Sequence, residues 1–233
     1  MKNLTVLLVV LSLSTFCFAQ LQLKAPGVKW DENYTFDKCN VFKVEFFAKG
    51  NELMRTIDYK TYYQSNGENF SIVSTNPKGK DRSETLIDKK NQVAIQVYKS
   101  GDTYMLCNAG GYKMPAETEL KKLELVPTTE TKQIAGYTCK KFTYTYKKIF
   151  GECWITDEVK LSNDYGIFRA AKMAALHNTL SVGGFVMEMT TEDAKGGKTL
   201  MRTISLENSE TYTADFKKVE MTTAINKVNY FTF

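Results

Sequence analysis

Thr-Lys-Gln-Ile-Ala-Gly-Tyr-Thr-Cys-Lys-Lys-Phe-Thr-Tyr-Thr-Tyr-Lys-Lys-Ile-Phe-Gly-Glu-Cys-Trp-Ile-Thr-Asp-Glu, residues 131–158, decides the fold class. The stretch reads as two antiparallel strands around a short turn. Threonine and aromatic residues dominate both arms, as suits a pleated, half-buried surface. On the first arm Phe142, Tyr144 and Tyr146 alternate with Lys141, Thr143 and Thr145. One face is therefore aromatic and the other polar. The turn is expected at Lys148–Phe150, with Gly151 after it supplying the freedom of positive φ. No catalytic constellation lies in these residues.

Outward from this hairpin the same period of two recurs. Residues 40–48 set Phe42, Val44, Phe46 and Ala48 against Val41, Lys43, Glu45 and Phe47, ahead of a turn at Lys49-Gly50-Asn51. A strand over about 53–64 carries Ile57, Tyr59, Tyr62 and Tyr63, and Asn66-Gly67 signals the hairpin into strand 69–75. Further strands are predicted at 84–88, 92–98 and 103–108, with Cys107–Pro115 as a loop lining an opening. A short helix over 116–123 precedes a break at Pro127. Beyond the hairpin, Tyr165–His177 is apolar on most sides, which predicts a buried helix. Strands 185–191 and 199–207 follow, and 215–220 is a candidate last strand. About ten short strands with one main buried helix argue for a mainly β (α+β) domain built on a curved antiparallel sheet.

The chain opens Met-Lys-Asn, runs through apolar Leu4–Leu13 and reaches Cys17-Phe18-Ala19-Gln20. That is the pattern of a secretory leader, read here as a signal peptide over 1–19. A lipidated Cys17 is the alternative, disfavoured by Phe16 where a small residue belongs. The apolar run is shorter than the roughly 20 residues of a transmembrane helix, and no later stretch is long enough. The expected address is periplasmic or secreted. The remaining divisions are an N-terminal arm over 20–37, anchored by Trp30 and Tyr34, a domain over 38–220 and a C-terminal tail over 221–233. Net charge is +5 with both signs mixed along the chain, so a nucleic-acid partner is not expected.

Four cysteines lie beyond the leader: Cys39, Cys107, Cys139 and Cys153. Export makes disulfides plausible, with three connectivities open. Cys139–Cys153 is disfavoured, because the expected register separates them by about 20 Å against a limit near 7 Å. The absence of Cys-x-x-Cys removes zinc-ribbon and thioredoxin-type chemistry. His177 is the sole histidine, so Ser-His-Asp or Cys-His catalysis would depend on it alone. No metal site and no cofactor is expected, and no Gly-rich phosphate loop occurs. Asp157, Glu158 and Glu188 are the carboxylates available for acid–base work. Asp157 and Glu158 are adjacent and point to opposite faces of a strand.

The apolar inventory is more suggestive. Phe42, Phe46, Tyr144, Tyr146, Trp154, Phe168, Met173, Phe185, Met187 and Met189 are the candidate ligand-binding residues, converging on one concave surface. Aromatics supply contact area and methionine adapts to irregular ligands. The same residues equally describe a dry core.

Ile134-Ala135-Gly136-Tyr137-Thr138-Cys139-Lys140-Lys141, then Trp154-Ile155-Thr156-Asp157-Glu158 and Gly184-Phe185-Val186-Met187-Glu188-Met189, resemble an exported bacterial family, domain of unknown function 4412. The resemblance covers roughly Asp58–Leu206. It implies the fold of the outer-membrane lipoprotein carrier (LolA-like) group, an antiparallel half-barrel wrapped on helices. It further implies a concave apolar face suited to acyl chains, and no site residue carries over from it. The expectation is therefore a non-catalytic envelope protein that binds a lipid, an acyl chain or a lipidated protein. A structural or protein-interaction module with a solid core is the alternative, and a carboxylate-based hydrolase the least favoured reading.

Overall fold

A computed structural model describes residues 18–22, 28–65, 69–75, 81–112, 125–146, 148–159, 184–207, 210–223 and 227–232. In chain order the strands are β1 (Phe18–Gln22), β2 (Asn33–Phe36), β3 (Lys38–Phe47), β4 (Leu53–Tyr63), β5 (Asn69–Thr75) and β6 (Asp81–Asp88). There follow β7 (Val93–Ser100), β8 (Thr103–Gly111), β9 (Leu125–Ile134), β10 (Tyr137–Tyr146) and β11 (Ile149–Thr156). The last five are β12 (Phe185–Asp193), β13 (Lys198–Glu207), β14 (Tyr212–Asp215), β15 (Thr222–Thr223) and β16 (Lys227–Thr232).

One large sheet organises the described residues, in the order β15-β8-β7-β6-β5-β4-β3-β13-β12-β11-β10-β9. It consists of two meanders, β3 to β8 and β9 to β13, joined where β3 pairs with β13. Every pairing is antiparallel except the two-residue contact of β15 with β8. Two small ribbons complete the described strands, β1 with β16 and β2 with β14. No helix occurs among the described residues; the predicted helices 116–123 and 165–177 lie outside them.

Several expectations need correction. The stretch 131–158 holds parts of three strands rather than two, because Ile134 pairs with Tyr137 around a tight turn at Ala135-Gly136. Both turn residues have positive φ, 50° and 86°, the combination a two-residue hairpin with native twist requires. β9 also runs through Pro127, which was expected to break the chain; at a sheet edge the missing N–H is harmless. The next turn comes between Tyr146 and Ile149, which pair with each other. Gly110 and Gly111 belong to β8 rather than to a loop. The strand expected at 215–220 is not formed beyond Asp215, where β14 ends, and β14 pairs with β2 of the N-terminal arm.

Cys153 stands opposite Phe142, three residues from Cys139 along β10 rather than six. The bridge is still not formed, and Cys39, Cys107, Cys139 and Cys153 are all buried thiols.

The sheet buries side chains on both faces. On one, Phe42 and Val44 of β3 continue through Ile57, Tyr59 and Tyr63 of β4, Phe70 and Ile72 of β5, and Ile87 of β6. In the other direction that face continues through Met201 of β13, Met189 of β12, Cys153 of β11 and Tyr144 of β10. The opposite face is divided. Over β4 to β8 it carries Tyr62, Val73, Leu86, Val93, Ile95 and Val97, packed under Tyr34, Phe36, Ala214 and Phe216 of the β2–β14 region. Over β10 to β13 it carries Lys141, Glu152, Glu188 and Arg202.

Candidate functional site

The candidate site is the apolar face shared by β3, β4 and β10 to β13. Period-two alternation in β3 sends Phe42 and Val44 to this face, and β4 answers with Tyr59 and Ile57 directly opposite. The rings of Phe42 and Tyr59 stack with centroids 5.2 Å apart and planes 14° from parallel. On the other side of β3, Met201 pairs with Val44, and Met189 pairs with both Met201 and Cys153. A methionine–cysteine row thus adjoins an aromatic–aliphatic row, a polarizable surface that adapts to irregular shapes.

Tyr144 puts a polar handle at one side of this face. Its hydroxyl lies 3.0 Å from the Thr190 carbonyl oxygen, to which it donates, and 2.7 Å from Thr191 Oγ1. Burial is the main reason that its phenol is held well above the usual tyrosine range. Gly151, opposite Tyr144, makes room for this: a Cβ there would run into the Thr190 carbonyl and sit 2.8 Å from the Tyr144 hydroxyl. Asn40 of β3 is the second polar group. It is 6% exposed, and its Oδ1 has no hydrogen-bond partner among the described residues.

Of the sequence-predicted binding residues, Phe42, Tyr144, Trp154, Phe185, Met187 and Met189 are buried members of the apolar cluster, and Phe46 is half-buried against it. Tyr146 lies at the end of β10; its side chain, like Phe168 and Met173, is outside the described residues. Trp154 does not share the face of Met189. It pairs with Lys141 and Glu188, one position from Cys153, and alternation turns it to the opposite side. There Lys132 Nζ lies 4.1 Å and Lys141 Nζ 5.7 Å from its ring centre. Val44, Ile57, Tyr59, Tyr63 and Met201 were left out of the predicted set, although Ile57, Tyr59 and Tyr63 already show the period of two.

The carboxylates considered for catalysis are committed elsewhere. Glu188 accepts from Lys132 Nζ at 2.7 Å and from Arg202 Nε at 2.6 Å. Asp157 is exposed and ion-paired with Lys140 at 3.0 Å, which lowers its pKa. Glu158 accepts from the Thr138 backbone N–H at 2.9 Å. Glu84, which the sequence reading passed over, is the most enclosed of the glutamates described. It accepts from Ser71 Oγ at 2.7 Å, Tyr212 OH at 2.6 Å and Arg82 Nη2 at 3.2 Å. Burial pushes the thiols of Cys139 and Cys153 up to about 11 and about 12, so both are protonated and poorly nucleophilic at neutral pH. No cluster of metal-ligating side chains occurs among the described residues.

Geometry of this kind defines a predominantly antiparallel β protein with one apolar face running across its main sheet. The chain belongs to the family described as a domain of unknown function, DUF4412, which matches residues 52–220. No curated protein matches it. Among solved structures it is similar to PNGF-II in a C2 crystal form at 16% identity and a TM-score of 0.36, covering 79% of this chain and 31% of that one. The same protein in a P21 form gives 16% identity and a TM-score of 0.37, over 83% of this chain and 31% of that one. The chain therefore spans less than a third of the length of PNGF-II. It is also similar to the LolA superfamily protein NE2245 from Nitrosomonas europaea, at 10% identity and a TM-score of 0.30, over 77% of this chain and 88% of that one.

Proposed function

We propose that this protein is an exported, non-catalytic envelope protein whose sheet forms a half-barrel and holds a lipid, an acyl chain or a lipidated partner against its apolar face. The observation that carries the reading is the row Ile57, Val44, Met201, Met189 and Cys153, with Tyr59 and Phe42 beside it on the same face of the sheet. Such a face offers contact area without directional demands, as an acyl chain requires. Asn40 supports the reading, because an orphan acceptor in an apolar wall is the kind of group that orients a ligand's polar end. The engagement of Glu188 and Asp157 by lysine and arginine, with the raised thiol pKa values, supports the absence of catalysis. The leader supports export to the periplasm or beyond. A second reading, a module with a solid core that works through its outer surface, draws on the complete burial of Met187.

Native mass spectrometry of the protein purified from its own envelope, before and after solvent extraction, distinguishes the two. A stoichiometric lipid-sized mass that extraction removes is the expected result. A bare mass that takes up no acyl ligand on incubation favours the solid-core module.

A further inference from the structure

Three hairpin tips sit side by side at one end of the main sheet. The β3–β4 tip spans 48–52, the β12–β13 tip spans 194–197 and the β10–β11 tip lies between Tyr146 and Ile149. Register makes them neighbours: Phe47 pairs with Lys198, Lys198 with Glu192, and Asp193 with Ile149. The first two touch, since a methyl group at Gly196 would sit 3.2 Å from Lys49 Cγ. This end gathers four of the large exposed apolar side chains. Leu53 and Met54 leave the first tip at 52% and 46% exposure, and Ile149 and Phe150 leave the third at 37% and 47%.

Cations outnumber carboxylates around these side chains. Lys49, Arg55, Lys148, Lys195 and Lys198 lie in or beside the tips, against the carboxylates Glu52, Glu152, Glu192 and Asp193. Asp193 is already occupied, accepting from the backbone N–H groups of Lys195 and Gly197 at 2.8 and 3.0 Å. Several main-chain donors of the first two tips are internally bonded: Ala48 N–H donates to the Glu52 carbonyl at 2.8 Å, Asn51 N–H to the Ala48 carbonyl at 3.1 Å and Asp193 N–H to the Gly197 carbonyl at 2.9 Å. Apolar side chains flanked by lysine and arginine are the combination that binds an interface of hydrocarbon and anionic headgroups.

We propose that this end of the sheet is a membrane-docking rim. Leu53, Met54, Ile149 and Phe150 dip into the headgroup boundary of an anionic lipid surface, and Lys49, Arg55, Lys148, Lys195 and Lys198 meet its phosphates. The docking stands whether or not the apolar face carries cargo.

The test is vesicle flotation of the protein as cells process it. Mixed phosphatidylglycerol–phosphatidylcholine vesicles are compared with phosphatidylcholine alone. The protein is expected to float with the anionic vesicles, and less so in high salt. Leu53→Ser combined with Phe150→Ser is expected to lower binding about tenfold with an unchanged melting curve. Lys49→Glu combined with Lys195→Glu is expected to abolish the preference for the anionic vesicles. Phe150→Trp gives a second readout, an emission that shifts to the blue on binding and is quenched by brominated acyl chains. Failure of the unmodified protein to float overturns the proposal, as does equal flotation of Leu53→Ser/Phe150→Ser. Concentration-dependent self-association that the same double variant removes, without flotation, reassigns the rim to a protein interface.

Discussion

The two halves of the main sheet share one apolar face and differ on the other. Over β4 to β8 the second face is sealed by the β2–β14 region, so that half is buried on both sides. Over β10 to β13 the second face carries a charged array in which Lys132, Lys141, Glu152, Glu188 and Arg202 pair with one another, with Lys132 and Lys141 over the buried Trp154 ring. Strand composition follows the difference. Val93, Ile95 and Val97 of β7 point under the cover, whereas on the other half Glu188 is buried beneath the ion pairs it makes with Lys132 and Arg202, and Trp154 lies buried beneath Lys132 and Lys141. A strand buried on both faces reads as a near-continuous apolar run, and one buried on a single face alternates. The β4–β8 half is thus backed by a second apolar layer, and the half carrying Met189, Met201 and Tyr144 by paired charges.

The sharpest break of this comparison is between two enclosed glutamates. Glu84→Ala removes the acceptor shared by Ser71, Tyr212 and Arg82 and leaves the wholly buried Ser71 hydroxyl without it, so it is expected to cost about 3 kcal/mol in urea unfolding. Glu188→Ala frees Lys132 and Arg202, whose side chains are 33% and 51% exposed and can hydrate, so its expected cost is about 1 kcal/mol. Equal losses at the two positions would erase the distinction between the halves.

Two leucines sharpen it on the apolar side. Leu86, wholly buried between sheet and cover, is expected to lose about 2–5 kcal/mol as Leu86→Ala. Leu200, half-buried on the open face of β13, is expected to lose about 1 kcal/mol or less as Leu200→Ala, measured in the same way.

The smallest effect is alkaline. Burial raises Cys139 and Cys153 from the usual 9.0 to about 11 and about 12. The folded state therefore keeps protons that the unfolded chain gives up. Their contribution to stability is complete below pH 9.0 and is lost as pH climbs toward those values. The urea midpoint should fall from about pH 9 upward. A thiol reagent at neutral pH should leave Cys139 and Cys153 unlabelled until the protein unfolds.

The local part of the architecture was legible in the sequence. The alternation of Phe42 and Val44 placed β3, and strand 69–75 was read at its observed ends. What failed depended on partners distant in sequence. Pro127 reads as a breaker, and only its place on an edge strand makes it tolerable. Gly110-Gly111 reads as a loop, and only pairing with Ala94 and Val93 makes it a strand. The junction of β3 with β13, which places Phe42 and Val44 beside Met201, carries no local signal at all.

The central claim is that cargo lies on the shared apolar face, against the half whose other side carries paired charges. Photo-crosslinking with a diazirine fatty acid, mapped by peptide mass spectrometry, tests it most directly. The account predicts labels on Phe42, Met189 and Met201, removed by competing unlabelled fatty acid. Labels confined to Trp154 and its lysines, or labels that no competitor removes, would contradict it.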